Sequence, residues 1–175
     1  MEQDLLARAK KGDEEALASI LKEHYTFVYK FVIKISGSDQ IALDITQDTM
    51  VKAIQKIHQY KGKSAFSSWL IQIATNTYLD TKRKQKTAQT YLEKEKGKGK
   101  LDYNTYNSFQ VTEWYAAKEA IWKLSDAYRI PILLKHYYGY DYTEIAKMTS
   151  VKVGTVKSRV HYGLAILREE LQEHE

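Results

Sequence analysis

Three sets of side chains in this 175-residue chain have the types and spacing to act on other molecules. Asp44 and Asp48 stand one helical turn apart with Gln47 between them, and Asp39 precedes them. Two carboxylates at i and i+4 can share a metal ion or present a patch of negative charge. The remaining metal ligands are missing: His24, His58, His136, His161 and His174 are scattered, and there is no cysteine. That leaves a solvated acidic face or a docking patch for a basic partner protein. No Ser/His/Asp order, glycine-rich phosphate loop or nucleophile elbow occurs. A hydrolase built on Asp44, Asp48 and Asp80 would lack a complete ligand set. The chain reads as a binder without a cofactor, not as an enzyme.

The second set is Asn76, Asp80 and Arg83, spaced i, i+4 and i+7 on one side of a helix. Lys82, Lys84 and Lys86 extend it with positive charge, and Tyr60, Phe66, Trp69 and Tyr78 lie in or near the same region. Basic residues interleaved with aromatics and amides suit single-stranded nucleic acid. Phe66 and Trp69 are better read as core, which leaves Asn76, Lys82 and Arg83 as recognition candidates.

The third set lies in Asp141 to Val160. Asp141 with Glu144 three residues later forms a capping box, opening a short helix with Ile145 and Ala146 inward. Beyond a turn, Val156 and Val160 face inward, while Thr155, Lys157, Ser158 and Arg159 project from other faces. His161 and Arg168 add to the basic character, and no acid intervenes before Glu169. A second helix starting near Gly154 offers free N–H groups to phosphate, and Arg, Lys, Ser and Thr can address base edges. This is the pattern of a helix-turn-helix.

These groups need helices to hold them. Leu17, Ile20, Leu21, Val28, Phe31, Val32 and Ile35 repeat at three and four, which predicts an amphipathic helix over 13–35. Gly37-Ser38-Asp39 ends it and caps the next, whose apolar stripe is read as Ile41, Ile45, Met50, Ile54 and Ile57. A third helix is predicted from about Ser64 to Arg83 over Phe66, Trp69, Leu70, Ile73, Ala74 and Leu79, and a shorter one near Leu5. A second domain begins near Thr112, with Trp114, Ala117, Ile121 and Leu124 on one face. Its next helix starts at Ser125-Asp126, turns Ile130, Leu133, Leu134 and Tyr137 inward, and ends at Gly139. Pro131 must delay that helix or bend it.

The expected fold is therefore all-α: two small helical domains, 1–88 and 112–175, joined by a flexible linker at 89–111. Lys94, Lys96, Lys98 and Lys100 alternate with Glu and Gly there. About 20 such residues have a root-mean-square span near 25 Å. The net charge of +5 and a pI near 9.1 favour a polyanionic partner. The absence of cysteine, of a signal-like start and of a long apolar run points to a cytoplasmic protein.

Taken together, these residues resemble the extracytoplasmic-function sigma factors of the sigma-70 family, over nearly the whole chain except the linker. Asp44-Ile-Thr-Gln-Asp48 with Lys52 is similar to the family's region 2.2, which binds the β′ clamp helices of core RNA polymerase. Phe66 to Leu70, followed by Asn76, Asp80 and Arg83, resembles regions 2.3 and 2.4, which open and read the −10 promoter element. The preceding loop, with Tyr60, Lys61, Lys63 and Ser64, is similar to the one that pockets a flipped base. Val153 to Val160 resembles the region 4.2 helix that reads the −35 element, through Thr155, Lys157, Ser158, Arg159 and His161.

The resemblance implies a monomer when free. It implies core polymerase (β′ clamp helices and β flap) and promoter DNA as partners, with a cognate anti-sigma factor, often membrane-bound. The chain departs from the family at Ser125, where a proline is usual, at Pro131, and at His161 to Leu164, which dilutes a basic run. Lys157 and Arg159 then carry more of the −35 affinity. A stand-alone helix-turn-helix regulator is the alternative, and it would footprint duplex DNA without polymerase.

Overall fold

The computed structural model describes residues 2–95 and 119–172, and all regular structure among them is helical. Helix α1 (Glu2–Lys10) leads into α2 (Glu14–Ser36) through a turn in which Asp13 caps α2, accepting from the Ala16 N–H at 2.9 Å. That bond, and then Arg8, lower the Asp13 pKa. The predicted stripe of α2 is buried at Ile20, Leu21, Val28, Phe31, Val32 and Ile35, with Leu17 half-buried. Gly37 ends the helix in the left-handed region, φ 68°.

Ser38 caps α3 (Asp39–Lys56), a 3₁₀ turn follows at Ile57–Gln59, and α4 runs Phe66–Glu95. The expected end of α4 at Arg83 is thus overrun. No glycine or proline interrupts the sequence before Gly97, and Lys, Gln, Ala and Glu all sustain helix. The rest of the expected linker, 96–111, lies outside the described residues, as do Trp114 and Ala117.

The second group of helices comprises α5 (described over 119–123), α6 (Asp126–Ile132), α7 (Tyr142–Thr149) and α8 (Val153–Gln172). Pro131 sits inside α6, and the chain widens directly afterwards into a π-helical turn at Leu133–Tyr137. There the Tyr138 N–H reaches back five residues to the Leu133 carbonyl, 3.1 Å away. The extra residue per turn rotates the face. Tyr137, expected inside, is 60% exposed, and Tyr138 packs instead edge-on against Phe27 and Phe31 of α2.

The two groups share one apolar core. Ile130, Leu134, Ile145, Met148 and Val156 are continuous with Phe31, Leu70, Ala74 and Tyr78. A smaller cluster, Ala120, Leu124, Ile132 and Leu167, holds α5, α6 and α8 together. Gly163 lets α8 close on α6, since a Cβ there would stand 2.6 Å from Ile132 Cδ1.

Candidate nucleic-acid interface

Helix α3 buries small residues. Ala42, Thr46, Thr49 and Ala53 line its inner face with Ile45, so it lies close to its neighbours. Ile54, expected in the apolar stripe, is 50% exposed. The rest of the predicted stripe holds: Ile45 and Ile57 are buried, and Ile41 and Met50 pack against the core. The outer face carries Asp44, Gln47 and Asp48, all exposed, among exposed Leu43, Val51 and Ile54. Gln40 donates to Asp44 at 3.1 Å. Acidic and exposed apolar side chains thus share one face of α3. Among the described residues no group of three or more His, Asp or Glu could hold a metal ion.

Lys52 turns away from that face and donates to Thr77 Oγ1 of α4 at 2.9 Å. It helps line a groove of about 240 Å³ between α3 and α4, with Lys56, Gln59, Gln72, Asn76 and Asp80. Sequence reasoning missed Lys56, Gln59 and Gln72. Two of them were within reach of a pattern argument: Lys52/Lys56 and Gln72/Asn76/Asp80 each repeat at four. Asp80 and Arg83 pair at 3.0 Å, both exposed. An exposed pair is worth under about 1 kcal/mol, so Arg83 can exchange Asp80 for a phosphate. Lys82 rests over the Tyr78 ring, 5.6 Å from its centroid.

Tyr60 is a core residue. It packs against Phe66 and Trp69, and its hydroxyl donates to the Ser64 carbonyl at 2.6 Å. Burial raises its pKa. That bond closes the loop Lys61 to Ala65, turned by Gly62 at φ 70°, and leaves Lys61, Lys63 and Ser64 exposed. Tyr60 therefore shapes the loop from its base.

The helix-turn-helix forms as the sequence predicts. Asp141 accepts from the Glu144 N–H at 2.8 Å, and Glu144 accepts from the Asp141 N–H at 2.9 Å. Ile145, Ala146, Val156 and Val160 are buried. Lys157, Ser158 and His161 are exposed on α8, with Thr155 and Arg159 half-buried. Gly154 leaves the start of α8 open, with nothing within 4 Å of its Cβ position. Tyr142, at the start of α7, has the ammonium groups of Lys135 and Lys157 at 4.8 and 5.8 Å from its ring centroid.

The two candidate DNA surfaces stand differently. The α8 face is open, whereas the α4 face is partly covered by α7. Ser150 Oγ donates to Asn76 Oδ1 at 3.0 Å, Asn76 Nδ2 donates to the Gln72 carbonyl at 3.0 Å, and Gln72 donates to the Lys147 carbonyl at 3.4 Å.

Residues 20–88 match the family described as Sigma-70 region 2, and residues 116–167 match Sigma-70, region 4. Over 96% of its length the chain is 30% identical to the ECF RNA polymerase sigma factor SigW of Bacillus subtilis, covering 95% of that protein. It is 24% identical to the ECF RNA polymerase sigma-E factor of Haemophilus influenzae, over 98% of this chain and 95% of that one. A co-crystal structure of the sigma factor RpoE with the anti-sigma factor NepR, from Bartonella quintana, contains a similar chain. The TM-score is 0.68 at 25% identity, over 89% of this chain and 96% of that one. CnrH, solved with the cytosolic domain of CnrY, shares the fold at TM-score 0.66 and 20% identity, over 99% of each chain.

Proposed function

The chain belongs to the extracytoplasmic-function sigma factors of the sigma-70 family, which direct transcription initiation, and on that premise we propose how its surfaces divide the work. The outer face of α3 docks on core RNA polymerase. Asp44, Gln47 and Asp48 meet a basic partner there, the β′ clamp helices, and the exposed Leu43, Val51 and Ile54 supply apolar area. The exposed loop with Lys61, Lys63 and Ser64, and the groove with Lys52, Asn76, Asp80, Lys82 and Arg83, receive the −10 strand. Helix α8 reads the −35 duplex through Thr155, Lys157, Ser158, Arg159 and His161, and the β flap supports the domain that carries it.

The domain assignment is 1–88 for polymerase docking and −10 recognition and 112–175 for the −35 element. The protein makes no bonds itself; it lends specificity to the polymerase in the cytoplasm, where that enzyme and DNA are found. Flipping a base costs a few kcal/mol, so the isolated chain binds promoter weakly and polymerase supplies the rest. A cognate anti-sigma factor, soluble or membrane-anchored, is a further partner; RpoE, similar to this chain, was solved with one.

The observation that carries this reading is the conjunction, in one chain, of the acidic and apolar α3 face with a capped helix-turn-helix whose basic face is open. Run-off transcription with core polymerase over a promoter library tests it. Initiation should be redirected to a defined −35/−10 pair. A footprint on duplex DNA without polymerase, and no redirected initiation, would favour a stand-alone regulator.

A further inference from the structure

From the exposed side of α8 we infer that Tyr162 is a further specificity-determining residue, its ring reading the C5-methyl group of one thymine in the −35 element. This deepens the reading of α8 as the −35 helix and rests on it. Tyr162 lies in the segment where the chain departs from the family's basic run. Between Arg159 and Arg168 the helix holds no lysine, arginine or carboxylate.

Placement comes first. Helix α8 turns Val156, Val160, Gly163 and Leu167 to the core. Thr155, Ser158 and Tyr162, spaced i, i+3 and i+7, form one row on another side. Tyr162 is 59% exposed at the far end of that row. Seven residues of helix span roughly 10 Å, on the order of three base-pair steps of duplex. The helix is held firmly at this level, because a Cβ on Gly163 would stand 2.6 Å from Ile132 Cδ1 of α6. His161 lies edge-on against the Tyr162 ring, with centroids 5.5 Å apart and planes at 74°. An edge-to-face pair of this kind favours one placement of the ring.

Single exposed apolar residues are ordinary on protein surfaces. What distinguishes Tyr162 is the row it shares with two residues of the reading helix. An uncharged stretch facing DNA gains nothing from neutralising phosphates. It can gain apolar contact, and the thymine methyl is the apolar group that a base pair displays in the major groove. Lys157, Ser158 and Arg159, in the turn before, supply charge and hydrogen bonds. An arginine at 162 would add affinity for any sequence; the tyrosine gives that up for a preference at one base pair.

The test uses holoenzyme assembled from core polymerase and the full chain, on duplex promoters carrying the −35 sequence that the parent selects. Each thymine there is replaced in turn by deoxyuridine, which lacks only the C5-methyl group. Parent affinity should fall roughly fourfold at one position, the worth of burying one methyl group. Tyr162→Phe keeps the ring and should respond alike. Tyr162→Ala should ignore the methyl at that position and keep the parent's response at the others. Its thermal midpoint should stay within about 2 °C, as for other exposed substitutions. Tyr162→Arg asks the same question with a long side chain in place. It should ignore the same methyl while its salt slope steepens by about 0.9.

A uracil response in Tyr162→Ala and Tyr162→Arg equal to the parent's overturns the inference, even where overall binding is weaker, because the ring would then serve a phosphate or a polymerase surface. A parent indifferent to every −35 methyl overturns it too. If the parent holoenzyme selects no −35 sequence, the reading of α8 itself fails. Retained selection with an unaltered uracil response sinks this inference alone.

Discussion

Arg129 of α6 and Ile35 of α2 are joined by a guanidinium-to-carbonyl hydrogen bond of 3.0 Å at the carboxyl end of α2. The side chain is almost fully buried and also donates to the Leu124 carbonyl at 2.8 Å and the Trp122 carbonyl at 3.3 Å. It pairs with Asp126 and lies over the Trp122 ring, 4.7 Å from the centroid. A cation there complements the partial negative charge of the α2 terminus. One residue thus satisfies a carbonyl at the end of a helix in the first domain and organises the α5–α6 corner of the second.

Replacing it should be costly. Arg129→Met leaves buried carbonyls without their donor and Asp126 without its cation, and should destabilise the chain by about 3–5 kcal/mol in chemical denaturation. Arg129→Lys should recover less than half of that, because an ammonium cannot span the same fork of acceptors. Full recovery by lysine would show that charge alone matters.

Asp48→Lys should abolish capture of core polymerase in a pull-down while leaving the thermal midpoint within about 2 °C, since exposed substitutions cost within about 0.5 kcal/mol. Val51→Asp should weaken the same association if the apolar residues of α3 share the contact. Retained association in both variants would remove α3 from the polymerase interface.

Much of this was written in the sequence at short range. The α2 stripe, the Asp141/Glu144 box and the inward pair Val156/Val160 depend on neighbours three or four residues away, and each forms as read. The misreadings share a different cause. Tyr137 and Tyr138 exchange roles because a π-helical turn after Pro131 shifts the register, which no fixed helical period can anticipate. Ile54 faces outward because Ala42, Thr49 and Ala53 set a close approach, a property of the neighbouring helices. The bond by which the Tyr60 hydroxyl closes its loop at the Ser64 carbonyl likewise had no signal in the helical pattern. The hydrogen bond from Ser150 to Asn76 joins residues 74 apart in sequence and had no local signal.

Arg159→Ala should cost roughly 1–3 kcal/mol and relax preference at one or two −35 positions. Lys82→Ala should weaken promoter binding about equally across sequences. It should also reduce the salt slope by about 0.7–0.9, as expected when one phosphate is no longer neutralised. Holoenzyme binding to a −35 library at several salt concentrations separates the two. Unaltered selectivity in Arg159→Ala would remove it from base reading.

Alkali should open the chain at the domain contact before it unfolds either domain. Tyr78, Tyr138 and Tyr140 all have raised pKa values, with burial the largest cause in each. Tyr78 faces Asp126 and Arg129, with the Lys82 ammonium over its ring; Tyr138 faces Tyr137 and Tyr140; Tyr140 faces Glu144 and Ser68. A group whose folded pKa lies above its unfolded value stabilises the folded state fully below the unfolded pKa. That contribution is lost as pH rises toward the folded pKa. For tyrosine the loss begins near about pH 10, at up to about 1.4 kcal/mol per pH unit for each phenol. The chain has no cysteine, so Glu23→Cys on α2 and Glu169→Cys on α8, both exposed, can carry a donor and an acceptor dye. Energy transfer between them should fall above that pH while far-ultraviolet helicity persists. Tyr138→Phe removes one titrating group and keeps the ring against Phe27 and Phe31, so the fall should become shallower and move upward in pH. A Tyr138→Phe profile identical to the parent's would show that this phenol does not govern the opening.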